Sequence, residues 1–165
     1  MNQGVSWEPF SSGLTSAAVH DLVIQKDENH LLVGTHGRSI YLSNIEKIQN
    51  LSSEIQNSSL YIYPLKDVKY SNSWGSRRSV WSESFEPKME ITLFSSSIKD
   101  YELSIIDSDN KTLYSSQGKL DNGFNFISYN LKSNENSVMD YLSKGSYKVL
   151  IMTDKDNLEK EFEIK

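Results

Sequence analysis

The stretch HDLVIQKDENHLLVGTHGRSIYL, residues His20–Leu42, decides the fold of the first part of the chain. Apolar residues alternate with polar ones or form short runs between clusters of turn-forming residues, which is typical of short β-strands. The predicted strands are His20–Gln25, Leu31–Thr35 and Ser39–Leu42, and the predicted turns are Lys26–His30 and His36–Arg38. Two close hairpins make a β-meander. A sheet this small is not stable alone in water, so we expect it to pack against other surfaces.

Composition limits the classes of protein that fit. The chain has 165 residues, a net charge of -5 and no cysteine, which indicates one domain, or one domain and part of another, without disulfides or thiolate chemistry. No basic block is present, so nucleic acid is not an expected partner. No apolar run approaches the ~20 residues of a membrane-spanning helix, and MNQGVSWEPF lacks the pattern of a signal peptide. The aromatic residues and the many Ser and Asn residues favour a β-rich protein.

The meander and the segment before it carry several short motifs: Val19-His20-Asp21-Leu22, Asp27-Glu28-Asn29 and Gly34-Thr35-His36-Gly37-Arg38-Ser39-Ile40-Tyr41, and, upstream, Gly4-Val5-Ser6-Trp7 and Ser12-Gly13-Leu14. Together they resemble the last blade of the bacterial BNR/Asp-box β-propellers, the sortilin-like and sialidase-like repeat proteins. Asn2 departs from the Asp-box aspartate, and Thr15 replaces the proline of the following loop. The resemblance implies that the chain begins inside a repeat and is the C-terminal part of a longer propeller protein.

The rest of the chain predicts a helix followed by many short strands. Isoleucine and leucine recur every three or four residues in Asn44–Gln56, which predicts a short helix that Asn44 could cap. A candidate strand, Val5–Glu8, precedes the meander. The strands and short pieces predicted after residue 58 are Leu60–Tyr63, Val68–Tyr70, Met89–Ser95, Tyr101–Asp107, Lys111–Ser115, Phe124–Leu131, Ser146–Thr153 and Leu158–Ile164, with a helical turn at Val138–Leu142. Such spacing is typical of an antiparallel sandwich.

Two segments of this second half, Gly123–Leu131 and Lys144–Val149, follow the pattern G-x-N-x-x-x-W-x-L … P-G-x-Y-x-V. They resemble the Ig-like sandwiches of flagellar hook-capping and secretion-sorting modules. Tyr129 stands in the Trp position and Lys144 in the Pro position. In the propeller proteins named above such a domain follows the last blade, so the two resemblances agree in order.

Several polar groups are candidates for sites of chemistry. We interpret His20, His30 and His36 as turn and strand-end residues, because no nucleophile motif accompanies them and no i, i+4 pair forms a metal site. The turns beginning at Asp107 and Asp154 resemble the start of a calcium loop but lack its glycine and bidentate glutamate. Glu83 and Glu86 are a candidate glycosidase pair, but the chain lacks the arginine triad that a sialidase-like site needs. We therefore predict no catalytic residue, no metal site and no cofactor.

The strongest candidate for ligand binding is an aromatic and basic segment. It consists of Tyr70, Trp74, Arg77, Arg78 and Trp81. Rings beside arginines on a loop can stack on a sugar or contact a peptide. The alternative is that Trp74 and Trp81 fill the sandwich core or a domain interface.

The sequence thus predicts an all-β chain: a partial propeller blade at 1–43, a helical linker at 44–57 and an Ig-like antiparallel β-sandwich at 58–165. What the resemblance implies is a non-catalytic module of a secreted, cell-surface or periplasmic BNR-repeat protein, acting in scaffold closure and protein or glycan binding. Its partners would be the remaining blades, a glycan or protein ligand, or a second copy by strand exchange. The alternative is a fragment of a sialidase-like glycoside hydrolase whose catalytic residues lie upstream.

Overall fold

The computed structural model describes residues 16–133 and 140–165, and within them the chain is all-β with antiparallel sheets. The chain divides into two compact units between Asn57 and Ser58. The strand predicted at Val5–Glu8 and the upstream repeat motifs lie outside the described residues. The helical turn predicted at Val138–Leu142 begins outside them, and Tyr141 itself forms a β-bridge with Lys132.

The first unit contains a three-stranded antiparallel sheet in the order β1-β2-β3. Its strands are β1 (Val19–Gln25), β2 (His30–Thr35) and β3 (Ile40–Asn44). The tight turn between β2 and β3 places Gly37 at φ 71°, a left-handed conformation that glycine adopts without a steric penalty. The predicted meander is therefore confirmed, with strand ends shifted by one or two residues.

Two short helices follow where the sequence predicted one. They are α1 (Glu46–Gln49) and α2 (Ser53–Asn57). The side-chain oxygen of Asn44 accepts a hydrogen bond from the backbone N–H of Glu46 at 3.0 Å, and the hydroxyl of Ser52 accepts one from the N–H of Ile55 at 3.2 Å. Ser52 thus offers the chain a second helix start, which is why the apolar repeat does not continue as one helix.

The second unit is built from two antiparallel sheets whose buried side chains form one core. The three-stranded sheet has the order β4-β5-β8 and the four-stranded sheet the order β10-β9-β6-β7. The strands are β4 (Leu60–Ile62), β5 (Met89–Ser95), β6 (Lys99–Ile106), β7 (Thr112–Leu120), β8 (Gly123–Tyr129), β9 (Gly145–Met152) and β10 (Asn157–Ile164). Both sheets contribute fully buried residues to the core, including Ile91 and Leu93 from β5 and Leu103 and Ile151 from the other sheet. This is a β-sandwich arrangement.

An additional segment closes one edge of the four-stranded sheet. Val68 forms a parallel bridge with Ile164. Its N–H donates to the carbonyl of Glu163 at 2.8 Å, the N–H of Lys165 donates to the carbonyl of Val68 at 3.0 Å, and the N–H of Tyr70 donates to the carbonyl of Lys165 at 2.8 Å. The short strand piece predicted at Val68–Tyr70 is thus paired with the end of the chain.

Two tyrosines of the Ig-like pattern, the substituted Tyr129 and the matching Tyr147, have structural roles in the sandwich. Tyr129 is 2 % exposed, and its hydroxyl donates to the carbonyl of Lys132 at 2.7 Å. Tyr147 packs on Phe162 with ring centroids 5.6 Å apart, and its hydroxyl donates to the carbonyl of Ser143 at 2.9 Å. Buried tyrosines with satisfied hydroxyls hold the neighbouring loops to the core.

Candidate functional site

The segment between β4 and β5 carries the residues that the sequence singled out for ligand binding. The structure separates them into two groups. Tyr70 and Trp74 lie at the edge of the core, with ring centroids 5.0 Å apart, and Trp74 is 9 % exposed. Arg77, Arg78 and Trp81 are exposed on the loop that follows. The alternative that a tryptophan fills the core therefore describes Trp74 and not Trp81.

The first group includes an aromatic residue that the sequence analysis did not select. Tyr141 lies 5.9 Å from Trp74 between ring centroids, and the ammonium of Lys132 lies 5.5 Å from the Tyr141 ring. The ammonium of Lys144 lies 5.8 Å from the ring of Tyr70. Tyr141 and Lys132 are about 60 positions downstream of Trp74, so no local pattern links them. These contacts fix Trp74 in the core rather than offering its ring to a ligand.

The second group occupies a loop whose base and tip are both hydrogen-bonded. At the base, the N–H of Gly75 donates to the carbonyl of Phe85 and the N–H of Phe85 donates to the carbonyl of Ser76, both at 2.8 Å. At the tip, Ser79 and Ser82 are joined by a backbone hydrogen bond of 3.2 Å and by two bonds through the Ser82 hydroxyl, at 2.9 and 3.0 Å. We call residues 76–85 the Trp81 loop.

The Trp81 loop presents apolar side chains to solvent. Trp81 is 95 % exposed, Val80 84 % and Phe85 55 %. Arg77 and Arg78 immediately precede the tip and are exposed. Valine and tryptophan are unusual in the middle of a surface turn, where Gly, Asn, Asp, Pro and Ser dominate. The fold does not use these side chains, so they are available for a contact.

Glu86, one member of the candidate glycosidase pair, forms an ion pair with a lysine. Burial raises the pKa of Glu86, but hydrogen bonds from Lys132 and Ser84 and the charge of Lys132 outweigh it and hold the pKa below its usual value. The ammonium of Lys132 lies 3.2 Å from the Glu86 carboxylate. Glu86 is thus ionised at neutral pH, which does not suit the protonated acid of a glycosidase.

In the turns that resemble the start of a calcium loop, aspartate oxygens accept hydrogen bonds from protein N–H and O–H groups. One carboxylate oxygen of Asp107 accepts the N–H groups of Asp109 and Lys111 at 3.0 and 2.9 Å, and Asn110 has φ 60°. An oxygen of Asp156 accepts from Ser59 at 2.9 Å and from Lys99 at 3.1 Å. No cluster of three metal-ligating side chains occurs in residues 16–133 and 140–165. Both turns thus use their aspartates to hold backbone or neighbouring strands.

Asp156 and Lys99 form a largely buried ion pair that connects the β9–β10 turn to β6. Their side chains are 18 % and 10 % exposed. Burial raises the pKa of Asp156, but hydrogen bonds from Lys99, Ser59 and Thr153 outweigh it and hold the pKa below its usual value. No local sequence pattern indicates this pair, because its members are 57 residues apart.

We expect Asp156→Asn to lower the free energy of unfolding by about 2 kcal/mol at pH 7, since it removes the charge that Lys99 neutralises. Because the folded pKa is depressed, this contribution is present above the unfolded pKa of about 4 and is lost as the pH falls through the folded pKa. Denaturation by urea at pH 7, 5, 4 and 3 checks both points. Asp154→Asn, in the same turn but exposed, should change stability by less than about 0.5 kcal/mol; equal losses in the two variants would contradict the prediction.

An aromatic ladder lies on the face of the three-stranded sheet that does not enter the core. Directly paired residues place Tyr61, Phe94 and Phe124 side by side across β4, β5 and β8. Phe94 and Phe124 have ring centroids 5.7 Å apart, and Tyr63 lies 5.9 Å from Phe124. Burial raises the pKa of Tyr63 to about 12, with a further contribution from Tyr61. The ladder unites residues about 60 positions apart, so only the strand register reveals it.

The stacked histidines of the first unit complete the set of sites considered from the sequence. His20 and His36 lie with ring centroids 5.1 Å apart. His20 occupies the point where the β1–β2 register shifts, between Val19 and Asp21. This position at a bulge agrees with the interpretation of both residues as strand-end and turn residues.

No protein family's sequence profile matches this chain, and no curated protein matches it. Among solved structures it is similar to a β-glucosidase from Listeria innocua in complex with glucose, with 11 % identity and a TM-score of 0.35 over 64 % of this chain. The chain spans 15 % of the length of that enzyme chain. A likeness at this level does not define a family.

The class of protein defined by the fold is accordingly broad. The chain is an all-β protein of antiparallel sheets, consistent with a sandwich or blade-like fold. Among the residues that the structure describes, no helix is both long and apolar enough to span a membrane.

Proposed function

We propose that the chain is a non-catalytic binding module from the C-terminal part of a secreted or cell-surface BNR-repeat propeller protein. In this proposal the meander is the terminal blade of the propeller, and the sandwich makes the contact with a protein or glycan partner. The observation that carries the proposal is that the first-unit sheet has apolar side chains on both faces.

The strand register shows how the two faces are composed. Val23, Leu32 and Leu42 are direct cross-strand neighbours and share one face. The opposite face carries Leu22 and Ile24 from β1 and, from the other strands, Leu31, Val33 and Tyr41. Six apolar residues of the sheet are at least half exposed: Val19, Leu22, Val23, Ile24, Ile40 and Leu42. Blades of a propeller pack against neighbours on both faces, whereas the sheet of an ordinary small domain has one solvated, polar face.

Exposed apolar residues are concentrated on this one sheet, whereas on a normal protein surface they are scattered singly. A neighbouring blade on each face would cover it. A second copy of the chain bound by strand exchange would cover part of it as well, and it is the competing explanation. The ionised, lysine-paired Glu86 lends no support to the alternative of a glycoside hydrolase fragment.

The proposal is tested first by reading the genomic frame on both sides of the coding segment. Several further Asp boxes upstream would support it, and a frame with none would contradict it. The second test uses the protein joined to those upstream blades. Leu42→Lys and Ile24→Lys place a charge on opposite faces, and each should lower the thermal midpoint of the propeller while leaving that of the sandwich unchanged. Lys26→Glu, in the exposed turn beyond β1, is the control.

Strand exchange predicts a different result. The 165-residue chain would then be a stable dimer by sedimentation, and dilution would expose the sheet and increase the fluorescence of a hydrophobic dye. A monomer that binds the dye strongly, with binding lost in Val23→Lys/Leu42→Lys, supports the blade.

A further inference from the structure

We propose that the Trp81 loop of one molecule binds a groove at the opposite end of the sandwich of a second copy of this chain, in a head-to-tail contact. The inference goes beyond the proposed function, uses only the second unit, and does not depend on the meander being a blade.

The Trp81 loop has the properties of a preformed anchor. Its tip turn is closed by three hydrogen bonds between Ser79 and Ser82, and its base by two more. Trp81 and Val80 therefore project from a backbone that is ordered before any contact forms, which reduces the entropy lost on binding. Tryptophan and arginine are the residues most enriched among those that dominate binding energy at protein interfaces. Arg77 and Arg78 supply two positive charges beside the indole.

The groove lies in the same unit and has the complementary chemistry. It is an open depression of about 830 Å³. Met152 supplies apolar surface, and three carboxylates and a single lysine border it: Asp100, Glu102, Asp154 and Lys119. Met152 pairs with Glu102, so its side chain lies on the face of the sheet that does not enter the core. Tyr101 packs over Gly118 on the core side and takes no part in the contact.

The two features lie at opposite ends of the sandwich, so one molecule cannot satisfy its own loop. The Trp81 loop precedes Met89, and Met89 pairs with Tyr129 at one end of β5. The groove lies near the start of β6 and the end of β9, at the end where Ser95 pairs with Gly123. Strands of seven to eight residues separate the ends by about 20 Å.

Charge therefore favours a second copy as the partner. Two guanidinium groups would meet three carboxylates, and the indole would lie on Met152. The surfaces that meet are different, so the contact is heterologous and each added molecule presents a new loop and a new groove. The area of one loop tip is small, so we expect weak association, with a Kd on the order of 0.1 mM.

Sedimentation velocity of the full chain between about 5 and 500 µM tests the inference. The sedimentation coefficient should rise with concentration and the rise should shrink as NaCl is increased, because exposed charge pairs are screened. Trp81→Ser and Arg77→Glu/Arg78→Glu should each weaken association at least about tenfold, and so should Asp100→Lys/Asp154→Lys on the groove. Lys66→Glu/Lys69→Glu carries the same change of charge on exposed residues elsewhere in the unit and should leave association unchanged.

Mixing variants gives the decisive result. Trp81→Ser keeps an intact groove, and Asp100→Lys/Asp154→Lys keeps an intact loop, so the mixture should form a 1:1 complex that grows no further, although neither variant associates alone. Arg77→Glu/Arg78→Glu mixed with Asp100→Lys/Asp154→Lys should also bind, through the reversed charges. Absence of a complex in both mixtures, or association of the wild type that persists in Trp81→Ser, would overturn the inference. Association that is lost only in Val23→Lys/Leu42→Lys would assign self-association to the first-unit sheet instead.

Discussion

Trp74→Ala should lower the free energy of unfolding of the sandwich by about 3 to 4 kcal/mol, the range measured when a large aromatic residue is removed from a core. The indole is 9 % exposed and contacts the rings of Tyr70 and Tyr141. Its loss leaves a cavity that the β-bridge between Lys132 and Tyr141 cannot close without moving the strand ends. Urea denaturation followed by far-UV circular dichroism measures the effect.

Trp81→Ala is the matched control, because it makes the same chemical change in the same segment. With the indole 95 % exposed, the stability should change by less than about 0.5 kcal/mol. The pair also tests ligand binding by this segment. If Trp81 contacts a glycan or protein, Trp81→Ala lowers binding while the fold is intact, whereas an equal loss of stability in the two variants would show that the loop packs differently.

Leu131 should tolerate glycine better than a buried leucine normally does. It is fully buried, yet its backbone has φ 59°, a left-handed conformation that is costly for a residue with a Cβ atom. Leu131→Ala should cost about 3 kcal/mol through the cavity alone. Leu131→Gly loses slightly more packing, but it relieves about 1 kcal/mol of backbone strain, so we expect it to be no less stable than Leu131→Ala.

Leu103 provides the comparison, since it is also fully buried but lies within the regular strand β6. There glycine should be about 1 kcal/mol less stable than alanine, because it adds backbone entropy to the unfolded chain. Thermal and urea denaturation of the four variants gives the two differences. The same order of stability at both positions would mean that the conformation of Leu131 carries no strain.

The sequence predicted the strands well wherever one side of the strand faces the core. Met89–Ser95 was predicted with the ends that the structure shows, because Met89, Ile91 and Leu93 alternate and turn residues flank them. β7 was predicted to end at Ser115 but continues to Leu120. Residues 116–119 have no large apolar side chain, yet their backbone groups still pair with β6, and the strand ends at the buried Leu120. Hydrogen bonding along an edge strand needs no apolar side chain, so the apolar pattern underestimates its length.

The predictions that were incomplete depend on contacts between distant parts of the chain. The sequence predicts Leu131 at the end of β8, whereas the strand ends at Tyr129 and Leu131 has a left-handed φ of 59°. The candidate site was predicted as one cluster because its members are close in sequence. In the structure, Tyr70 and Trp74 pack with Tyr141 at the edge of the core. Trp81 lies apart from them, on a tip turn that is closed by hydrogen bonds between Ser79 and Ser82.

The pairing of residues 68–70 with the end of the chain has a mechanical consequence. The segments that contain Val68 and Ile164 run parallel, and three backbone hydrogen bonds join them. Tension applied between Ser58 and Lys165 would pull these segments past each other, so the three bonds would be loaded in shear and would have to break together. The sandwich would then resist stretching more strongly than a hairpin pulled at its two ends, whose hydrogen bonds break one after another.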